Sequence, residues 1–369
     1  MKSYCVGTSC FSFTDETRDE VLGNASGKRK IAVRMYYPVD ADAVNGHKKA
    51  KIFSERKADA LGKAYHVNKF LQKVKNEADY YENIPISDKE KFPLILYNHG
   101  YNAYIECNTF LCCELASHGY IVASIGHANE AIATEYVDGS IDYYDKSLNK
   151  RIITPYFKAL RVQMKLLKKK LSEKDAWKEF DEFQHTYSSF MIGRIEEWSK
   201  DSKAALKEIK EQYAEAIDMS CGIGATGHSF GGATAYYLCQ YEKDITCGIN
   251  IDGALYGEYA GMNMQKPFMQ ICCAENYNAE TKPLLDTEAP IYVAKFQDMK
   301  HIGFTDAKFF VPIKSLVGTM EPQVMQSNLN QLHVEFFDRY LRQNKDAEIK
   351  TDSEQIELSV ENHGWDFPQ

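Results

Sequence analysis

The sequence predicts an α/β fold in which a mostly parallel central sheet is flanked by helices and carries a helical insertion. Short runs of β-branched and aromatic residues recur along the chain, and helical patterns alternate with the later runs. This alternation is typical of a parallel sheet with helices on both faces. The 369 residues also suffice to bury a large core. The predicted strands are 31–37, 93–98, 120–125, 223–227, 247–252, 267–273 and 291–296, and the clearest helices are 110–118 and 231–241.

We expect one domain over residues 1–369, with the strands up to residue 37 paired antiparallel at a sheet edge. Two segments are predicted to be insertions. Residues 55–81 are polar and helical in pattern, whereas residues 152–217 carry apolar side chains at helical spacing opposite a lysine-rich face. The second insertion lies between the third and fourth core strands, where a helical cap over an active site is expected. Residues 343–369 are predicted to form a polar tail.

Composition and charge exclude several classes of protein. A net charge of −8 argues against nucleic acid as the main partner, because that role favours a basic surface. The ten cysteines include no CxxC pair and no zinc-ligand spacing, so we expect buried thiols, no metal and no cofactor. No apolar stretch approaches the length of a membrane-spanning helix, and residues 1–20 lack the apolar segment of a secretory signal. With Met1 as the natural start, these features predict a cytoplasmic protein.

The segment 227–231, Gly-His-Ser-Phe-Gly, has the pattern GxSxG and predicts a nucleophile at Ser229. The run before it suits a buried strand and the segment after it suits a helix, which is the context that this motif requires. The sharp turn brings backbone segments close together, so glycine is needed at Gly227 and Gly231. The overlapping GxGxxG of residues 222–227 suggests a dinucleotide loop instead. A dinucleotide loop must follow a strand, whereas residues 222–227 coincide with the predicted strand 223–227.

An activated serine needs a histidine base, and the histidine needs a carboxylate that fixes its tautomer. In the α/β-hydrolase fold, to which such a serine turn belongs, the acid and then the histidine follow the serine along the chain. Three histidines remain, His301, His333 and His363. His333 lies in a helical pattern and His363 in a polar segment, whereas His301 follows the strand 291–296 in a loop. We therefore predict His301 as the base.

The acid has three candidates. Asp252 ends one predicted strand, Glu275 follows the next strand, and Asp298 lies three residues before the predicted base. We expect Asp298 to organise its own loop. The pattern favours Asp252, because a buried strand followed by Gly253 delivers a carboxylate at the strand tip. It leaves Glu275 open as the alternative.

The tetrahedral oxyanion of an acyl-transfer reaction needs two backbone N–H donors. One is expected from Phe230, the residue after the nucleophile. The other is expected from the turn after the strand 93–98, where a His-Gly pair precedes Tyr101. His99 and His228 flank these two turns, and we expect them to pack or hydrogen-bond locally rather than to act in catalysis.

Several segments resemble the platelet-activating-factor acetylhydrolase family of α/β-hydrolases, of the plasma and intracellular type II kind. They are 93–129 with its HGY, 227–232 with GHSFGG, 250–253 with NIDG, 301–306 with HIGFTD, and the helical pattern 331–341. The resemblance implies that Ser229, Asp252 and His301 are catalytic. It also implies a calcium-independent serine esterase with phospholipase A2-like activity on short or oxidised acyl chains. Tyr101 stands where the family leads us to expect leucine.

The predicted partner is a small-molecule ester or phospholipid. A weak contact between the lysine-rich face around 165–170 and an anionic lipid surface is a second expectation. Two other functions stay open: a general short-chain carboxylesterase that does not act on phospholipids, and a non-catalytic binding protein on the same fold. The sequence does not determine the acyl length, the alcohol or the oligomeric state.

Overall fold

The computed structural model describes residues 4–23, 27–152, 182, 184–186, 188–256, 264–281, 284 and 288–361. Within them the strands are β1 Cys5–Asp19, β2 Lys28–Val39, β3 Tyr81–Glu82, β4 Leu94–Asn98, β5 Ile121–Ile125, β6 Ala133–Glu135, β7 Ile141–Tyr143, β8 Ile223–His228, β9 Ile245–Ile251, β10 Phe268–Cys273, β11 Ile291–Phe296 and β12 Ile356–Glu361. The helices are α1 Glu55–Ala64, α2 Phe70–Lys73, α3 Thr109–Ser117, α4 Ser189–Tyr213, α5 Phe230–Tyr241, α6 Tyr277–Thr281, α7 Lys314–Val317 and α8 Pro322–Tyr340. Short 3-10 helices cover Met219–Cys221, His301–Phe304 and Asp306–Phe309.

Ten of these strands form one sheet in the order β12-β11-β10-β9-β8-β4-β5-β2-β1-β3, and β6 and β7 form a separate pair. The six strands from β11 to β5 are parallel to their neighbours. By contrast, β2 pairs antiparallel with β5 and with β1, and β12 pairs antiparallel with β11. All seven predicted strands are present with small shifts at their ends. The predicted α/β fold and its antiparallel early strands are therefore confirmed.

Each face of the sheet has its own hydrophobic core, because successive residues of a strand point to opposite faces. In β4, Ile95 and Tyr97 belong to the core that includes residues of α3 and α8, while Leu94 and Leu96 belong to the core that includes residues of α4 and α5. The central strands are thus buried on both faces. That burial explains why they are continuous apolar runs, which made them predictable.

Two of the strands beyond the predicted set, β1 with 15 residues and β12 with six, lie toward the two ends of the sheet. β1 is partly exposed and rich in Thr, Ser and charged residues, and β12 alternates apolar and polar side chains. β12 lies in the segment 343–369 and pairs with β11 along its whole length. This corrects the expectation of a polar tail: backbone hydrogen bonds hold an edge strand in the sheet even when half of its side chains face solvent.

The two predicted insertions contain helices where the structure describes them. α1 and α2 lie within 55–81, and α4 lies within 152–217. Residues 153–181, 183 and 187 of the second insertion, with its lysine-rich face, lie outside the described residues. α4 packs against α5 and buries Ala205 and Ile209 on the sheet, so this part belongs to the helical layer rather than to a cap. Of the helices described, none is both long and apolar enough to cross a lipid bilayer.

Candidate active site

The serine turn lies between β8 and α5, where Ser229 has a φ of 56°. A positive φ is strained for a residue with a side chain, and here it lets the backbone turn sharply from strand to helix. The turn needs glycine at Gly227 and Gly231, because a Cβ atom at either position would collide with the carbonyl oxygen of Asn98. Residues 223–227 of the GxGxxG pattern lie in β8 itself, so they supply no loop for a dinucleotide phosphate.

Three side chains that are distant in sequence meet at one edge of the sheet. The hydroxyl of Ser229 donates a hydrogen bond to Nε2 of His301 at 2.8 Å, and Nδ1–H of His301 donates to Oδ2 of Asp252 at 2.7 Å. The Asp252 side chain is fully buried, whereas that of His301 is 42% exposed. This is the order and spacing that a serine nucleophile, its base and an orienting acid require.

Asp252 is held by groups at the end of β10 and in the loop after it. Its Oδ1 accepts the backbone N–H of Cys273 at 2.7 Å, and its Oδ2 accepts the side-chain N–H of Asn276 at 3.0 Å. Burial by itself raises the pKa of this carboxyl. The hydrogen bond and charge of His301, helped by the N–H of Cys273, outweigh burial and leave the pKa below its ordinary value. Asp252 is therefore an anion at neutral pH and can stabilise a protonated His301.

The two other acid candidates do not approach the histidine side chain in this way. Glu275 is exposed and forms an ion pair with the ammonium group of Lys300. Asp298 adopts a φ of 57°, and its carbonyl oxygen accepts the backbone N–H of Thr319 at 2.7 Å. Asp298 thus organises its own loop. The carboxylate that the structure brings to the imidazole of His301 is that of Asp252.

The histidine that sequence reasoning set aside, His333, has a different environment. It is fully buried in α8, where its Nδ1–H donates to the carbonyl of Leu329 at 2.7 Å and its Nε2 accepts from the hydroxyl of Thr226 at 3.2 Å. Burial lowers its pKa to about 4. His333 is therefore a neutral residue of the core, as its helical pattern predicted. His363 lies outside the described residues.

Tyr101 and Phe230, the two predicted oxyanion donors, lie on adjacent turns. A Cβ atom at Gly100 would lie 3.1 Å from the Cβ of Ser229, so the turn after β4 runs directly beside the serine turn. The rings of Tyr101 and Phe230 pack edge to face with centroids 5.5 Å apart. Among the residues that the structure describes, the N–H of Tyr101 and that of Phe230 have no backbone acceptor, so both remain available as donors.

With this geometry established, comparison with known proteins identifies the family. The family described as platelet-activating factor acetylhydrolase, isoform II, matches residues 3–358. The chain belongs to this family. Curated relatives named platelet-activating factor acetylhydrolase include one from Cavia porcellus, 25% identical over 304 residues, and one from Canis lupus familiaris, 28% identical over 184 residues. The matches cover 77% and 46% of this chain and 66% and 37% of those relatives, so the chain spans less than two thirds of their length.

A solved structure gives the same answer for the fold. A ferulic acid esterase from Streptomyces cinnamoneus matches this chain with a TM-score of 0.68, covering 96% of each chain at 18% sequence identity. At that identity the likeness shows the fold alone, and it confirms the α/β-hydrolase fold. The family resemblance carried by the serine turn and the histidine loop is confirmed as well.

In this family member, His228 connects the serine turn to the histidine loop. Its Nε2–H donates to the backbone carbonyl of His301 at 2.9 Å, and the two imidazole rings lie 4.7 Å apart. Burial, followed by the charge of His301, lowers the pKa of His228 to about 3, so this ring is neutral. Sequence reasoning expected only a local bond. The bond instead joins residues that are 73 positions apart. The sequence indicated it only through the presence of a histidine directly before Ser229.

A buried charge cluster lies beside the turn that carries Tyr101, and sequence reasoning missed it. Its members are Arg18, Arg29, His127, Glu130, Arg194 and Asp201. Asp201 accepts hydrogen bonds from Arg29 at 2.6 Å, from Arg18 at 2.8 Å and from Nδ1–H of His127 at 2.9 Å. The members come from β1, β2, the loop after β5, and α4. One sequence signal could have revealed this cluster: Asp201, a charged residue on the face of helix α4 that packs against the rest of the protein.

A cavity of about 750 Å³ adjoins the same turn. Its lining includes Arg56, Lys63, Asn102, Ile132, Tyr144 and Lys146. Asn102 follows Tyr101 in the chain, and the Tyr144 ring meets the Tyr101 ring edge to face at 6.0 Å, so the cavity lies next to the predicted oxyanion donor. In the described part of the chain, no three or more His, Cys, Asp or Glu side chains are grouped to hold a metal ion.

Proposed function

We propose that this protein is a serine carboxylic ester hydrolase in which Ser229 is the nucleophile, His301 the general base and Asp252 the acid that orients the base. The observation that carries the proposal is the hydrogen-bonded line from the Ser229 hydroxyl through His301 to a buried carboxylate. Membership of the acetylhydrolase family supports the same class of reaction. The N–H groups of Tyr101 and Phe230 are proposed to form the oxyanion hole.

The proposed reaction proceeds in two acyl-transfer steps. His301 takes the proton of Ser229 as Oγ attacks the ester carbonyl, and the two N–H groups stabilise the negative oxygen of the tetrahedral intermediate. The same imidazole then gives its proton to the leaving alkoxide, which leaves an acyl-serine. A water molecule, deprotonated by His301, attacks the acyl carbon, and His301 returns that proton to Oγ of Ser229 as the acid is released. Asp252 stays ionised throughout and holds Nδ1–H of His301 in place.

The proposed substrates are esters of short or oxidised acyl chains, with glycerophospholipids among them. The names of the relatives support an acetyl ester of a phospholipid, and the cavity beside Tyr101 has the basic side chains of Arg56, Lys63 and Lys146 in its lining. These cations suit the phosphate of a phospholipid. A panel of p-nitrophenyl esters and sn-2 acyl glycerophospholipids of increasing chain length tests this part. Hydrolysis of the p-nitrophenyl esters alone would favour a general short-chain carboxylesterase.

The nucleophile is tested by the substitution Ser229→Ala. Turnover of p-nitrophenyl acetate should fall by about 10⁶-fold, as when a triad serine is removed from other hydrolases. Labelling by a fluorophosphonate probe should be lost at the same time. Ser220→Ala is a matched control, because Ser220 is an exposed serine whose hydroxyl only caps a short turn by donating to Asp218. Retained turnover in Ser229→Ala would refute the assignment, and absence of labelling in folded wild type would favour a binding protein.

A cytoplasmic location is proposed from the thiols. Six of the ten cysteines are buried free thiols. Free thiols in this number suit a reducing compartment better than an oxidising one. Counting the thiols that react with a thiol reagent in denatured protein purified from its native cells tests this proposal. Fewer than ten reactive thiols would argue for an oxidising compartment.

A further inference from the structure

We propose that His99 is a positioning residue of the oxyanion hole: it holds the carbonyl group of Gly100 and thereby fixes the direction of the N–H of Tyr101. The inference rests on the proposed function. It gives a role to a fully buried histidine that the reaction steps above leave unused. It also explains why a residue other than leucine can serve after the His-Gly pair, since the donor is backbone and its direction is set by His99.

The argument begins with the geometry of one peptide unit. The carbonyl of Gly100 and the N–H of Tyr101 belong to the same planar trans peptide, so they point in opposite directions. Nδ1 of His99 lies 2.7 Å from the carbonyl oxygen of Gly100, and the backbone N–H of Ala103 donates to the same oxygen at 3.0 Å. Ala103 belongs to the turn and moves with it. His99 is therefore the donor that ties this peptide to the rest of the protein.

The His99 ring is itself held in place. Its Nε2 accepts the backbone N–H of His127 at 3.2 Å, and its ring lies edge to face against Trp198 with centroids 5.1 Å apart. A ring that accepts at Nε2 and donates from Nδ1 is the neutral tautomer. Burial lowers the pKa of His99 well below its ordinary value, which keeps the ring neutral. The Nδ1–H of His99 thus points permanently at Gly100.

The next peptide of the turn is fixed separately. Asn102 has a φ of 54°, as the third residue of a type II turn requires, and its N–H donates to the carbonyl of Glu130 at 2.7 Å. The side chain of Glu130 accepts from the indole N–H of Trp198 at 2.9 Å. The loop after β5 therefore anchors both peptides of the turn. The carbonyl of Glu130 binds the N–H of Asn102 directly, and the N–H of His127 holds the ring of His99, which in turn holds the carbonyl of Gly100.

Two substitutions separate the functions of the two ring nitrogens. In His99→Asn, the side-chain NH₂ lies about where Nδ1 was, and it can still donate to Gly100. In His99→Gln, the terminal amide reaches about as far as Nε2, so it can keep the bond to His127 but not the bond to Gly100. Gln is also closer to His in volume. If His99 served only packing, His99→Gln would be the milder change, so the proposal predicts the opposite order.

The measurement is steady-state hydrolysis of p-nitrophenyl acetate. We expect kcat of His99→Gln to fall on the order of 10²–10³-fold with KM little changed, which is the loss seen when one oxyanion donor is removed. His99→Asn should retain much more activity. The inhibition constant of a trifluoromethyl ketone, which forms a tetrahedral oxyanion adduct with serine, should rise by the same factor in His99→Gln. Equal losses in both variants, or a greater loss in His99→Asn, would overturn the proposal.

Two controls keep the result interpretable. His333→Gln changes another buried neutral histidine, one that binds Leu329 and Thr226, and it should lower thermal stability without this loss of kcat. If His99→Gln does not fold, His99→Ala, which also has no donor for Gly100, takes its place, and kcat of His99→Asn must exceed that of His99→Ala. Failure of the proposed function is distinguishable, because turnover would then survive in Ser229→Ala, whereas failure of the present inference leaves turnover dependent on Ser229 but insensitive to the choice between Asn and Gln.

Discussion

Among the residues that the structure describes, two histidine–carboxylate pairs have nearly the same geometry, and one of them faces a serine hydroxyl. His301 donates to Asp252 at 2.7 Å, and His127 donates to Asp201 at 2.9 Å. The His301 side chain is 42% exposed and its second nitrogen faces Ser229. The His127 side chain is fully buried. The pair itself is therefore not what defines a catalytic site; the surroundings of each partner decide what it can do.

The carboxylates differ in the charges that surround them. Asp252 receives its other hydrogen bonds from neutral groups, two N–H groups and the thiol of Cys273, so its negative charge is available to stabilise a protonated His301. Asp201 is bound by the guanidinium groups of Arg18 and Arg29. Burial by itself raises the pKa of Asp201, but the charge of Arg29 and the hydrogen bonds from His127 and Arg29 lower it far below the ordinary value. The positive charges of Arg18 and Arg29 therefore already balance the negative charge of Asp201. Burial lowers the pKa of His127 to about 4 even though Asp201 is its neighbour, so His127 remains neutral and structural.

The largest expected effect concerns the carboxylate at the exposed pair. Asp252→Asn should lower kcat by about 10⁴-fold, because an amide at this position favours the wrong tautomer of His301 and cannot stabilise its charge. Urea unfolding should change little, since Asn can still accept the N–H of Cys273. Glu275→Gln is the matched control and should leave kcat close to the wild-type value. A greater loss from Glu275→Gln would transfer the role of acid to Glu275.

For the buried pair, His127 and Asp201, we expect the opposite result: a large loss of unfolding free energy and little loss of kcat. Asp201→Asn removes the anion that balances Arg18 and Arg29, and breaking a buried ion pair on one side typically costs about 3–5 kcal/mol of unfolding free energy. The folded fraction should retain most of its kcat, because no group of this pair contacts the reacting atoms. Urea unfolding followed by active-site titration separates the two quantities. An unchanged unfolding free energy would show that the compensation argument is wrong.

The smallest expected effect is that of a single buried histidine on the pH dependence of stability. Burial lowers the pKa values of His127 and His333 to about 4 and that of His228 to about 3. The unfolded chain, with histidine pKa near 6.5, binds more protons than the native state below that value, so stability falls as pH drops from about 6.5 toward 4. Each histidine contributes up to about 1.4 kcal/mol per pH unit.

Urea unfolding at pH 7, 6 and 5 measures this effect. His333→Leu removes one of these titrating groups without touching the reacting residues, so its stability should vary less steeply with pH than that of the wild type. An equally steep dependence in both proteins, or none in either, would contradict the assignment of these imidazoles as neutral. It would also remove one difference between the buried pair, His127 and Asp201, and the exposed pair, His301 and Asp252.

What the sequence alone could predict follows from local patterns. The parallel strands are buried on both faces, so their apolar runs stand out, and the serine turn needs glycines at fixed positions, so its motif stands out as well. The order of residues along the chain then leaves three histidines, of which His301 is the predicted base. β1, which lies next to one end of the sheet, and β12, which lies at the other end, are not continuous apolar runs, because such strands are held by backbone hydrogen bonds and keep polar side chains on one face.

Tertiary structure decided the rest. The positions of the two carboxylates depend on the register of β9 and β10, which brings the N–H of Cys273 to the carboxylate of Asp252 and leaves Glu275 in solvent beside Lys300. The buried charge cluster and the role of His99 depend on contacts between segments far apart in the chain. Electrostatic and hydrogen-bond partners across such distances are set by packing in three dimensions, and no local pattern in the sequence encodes them.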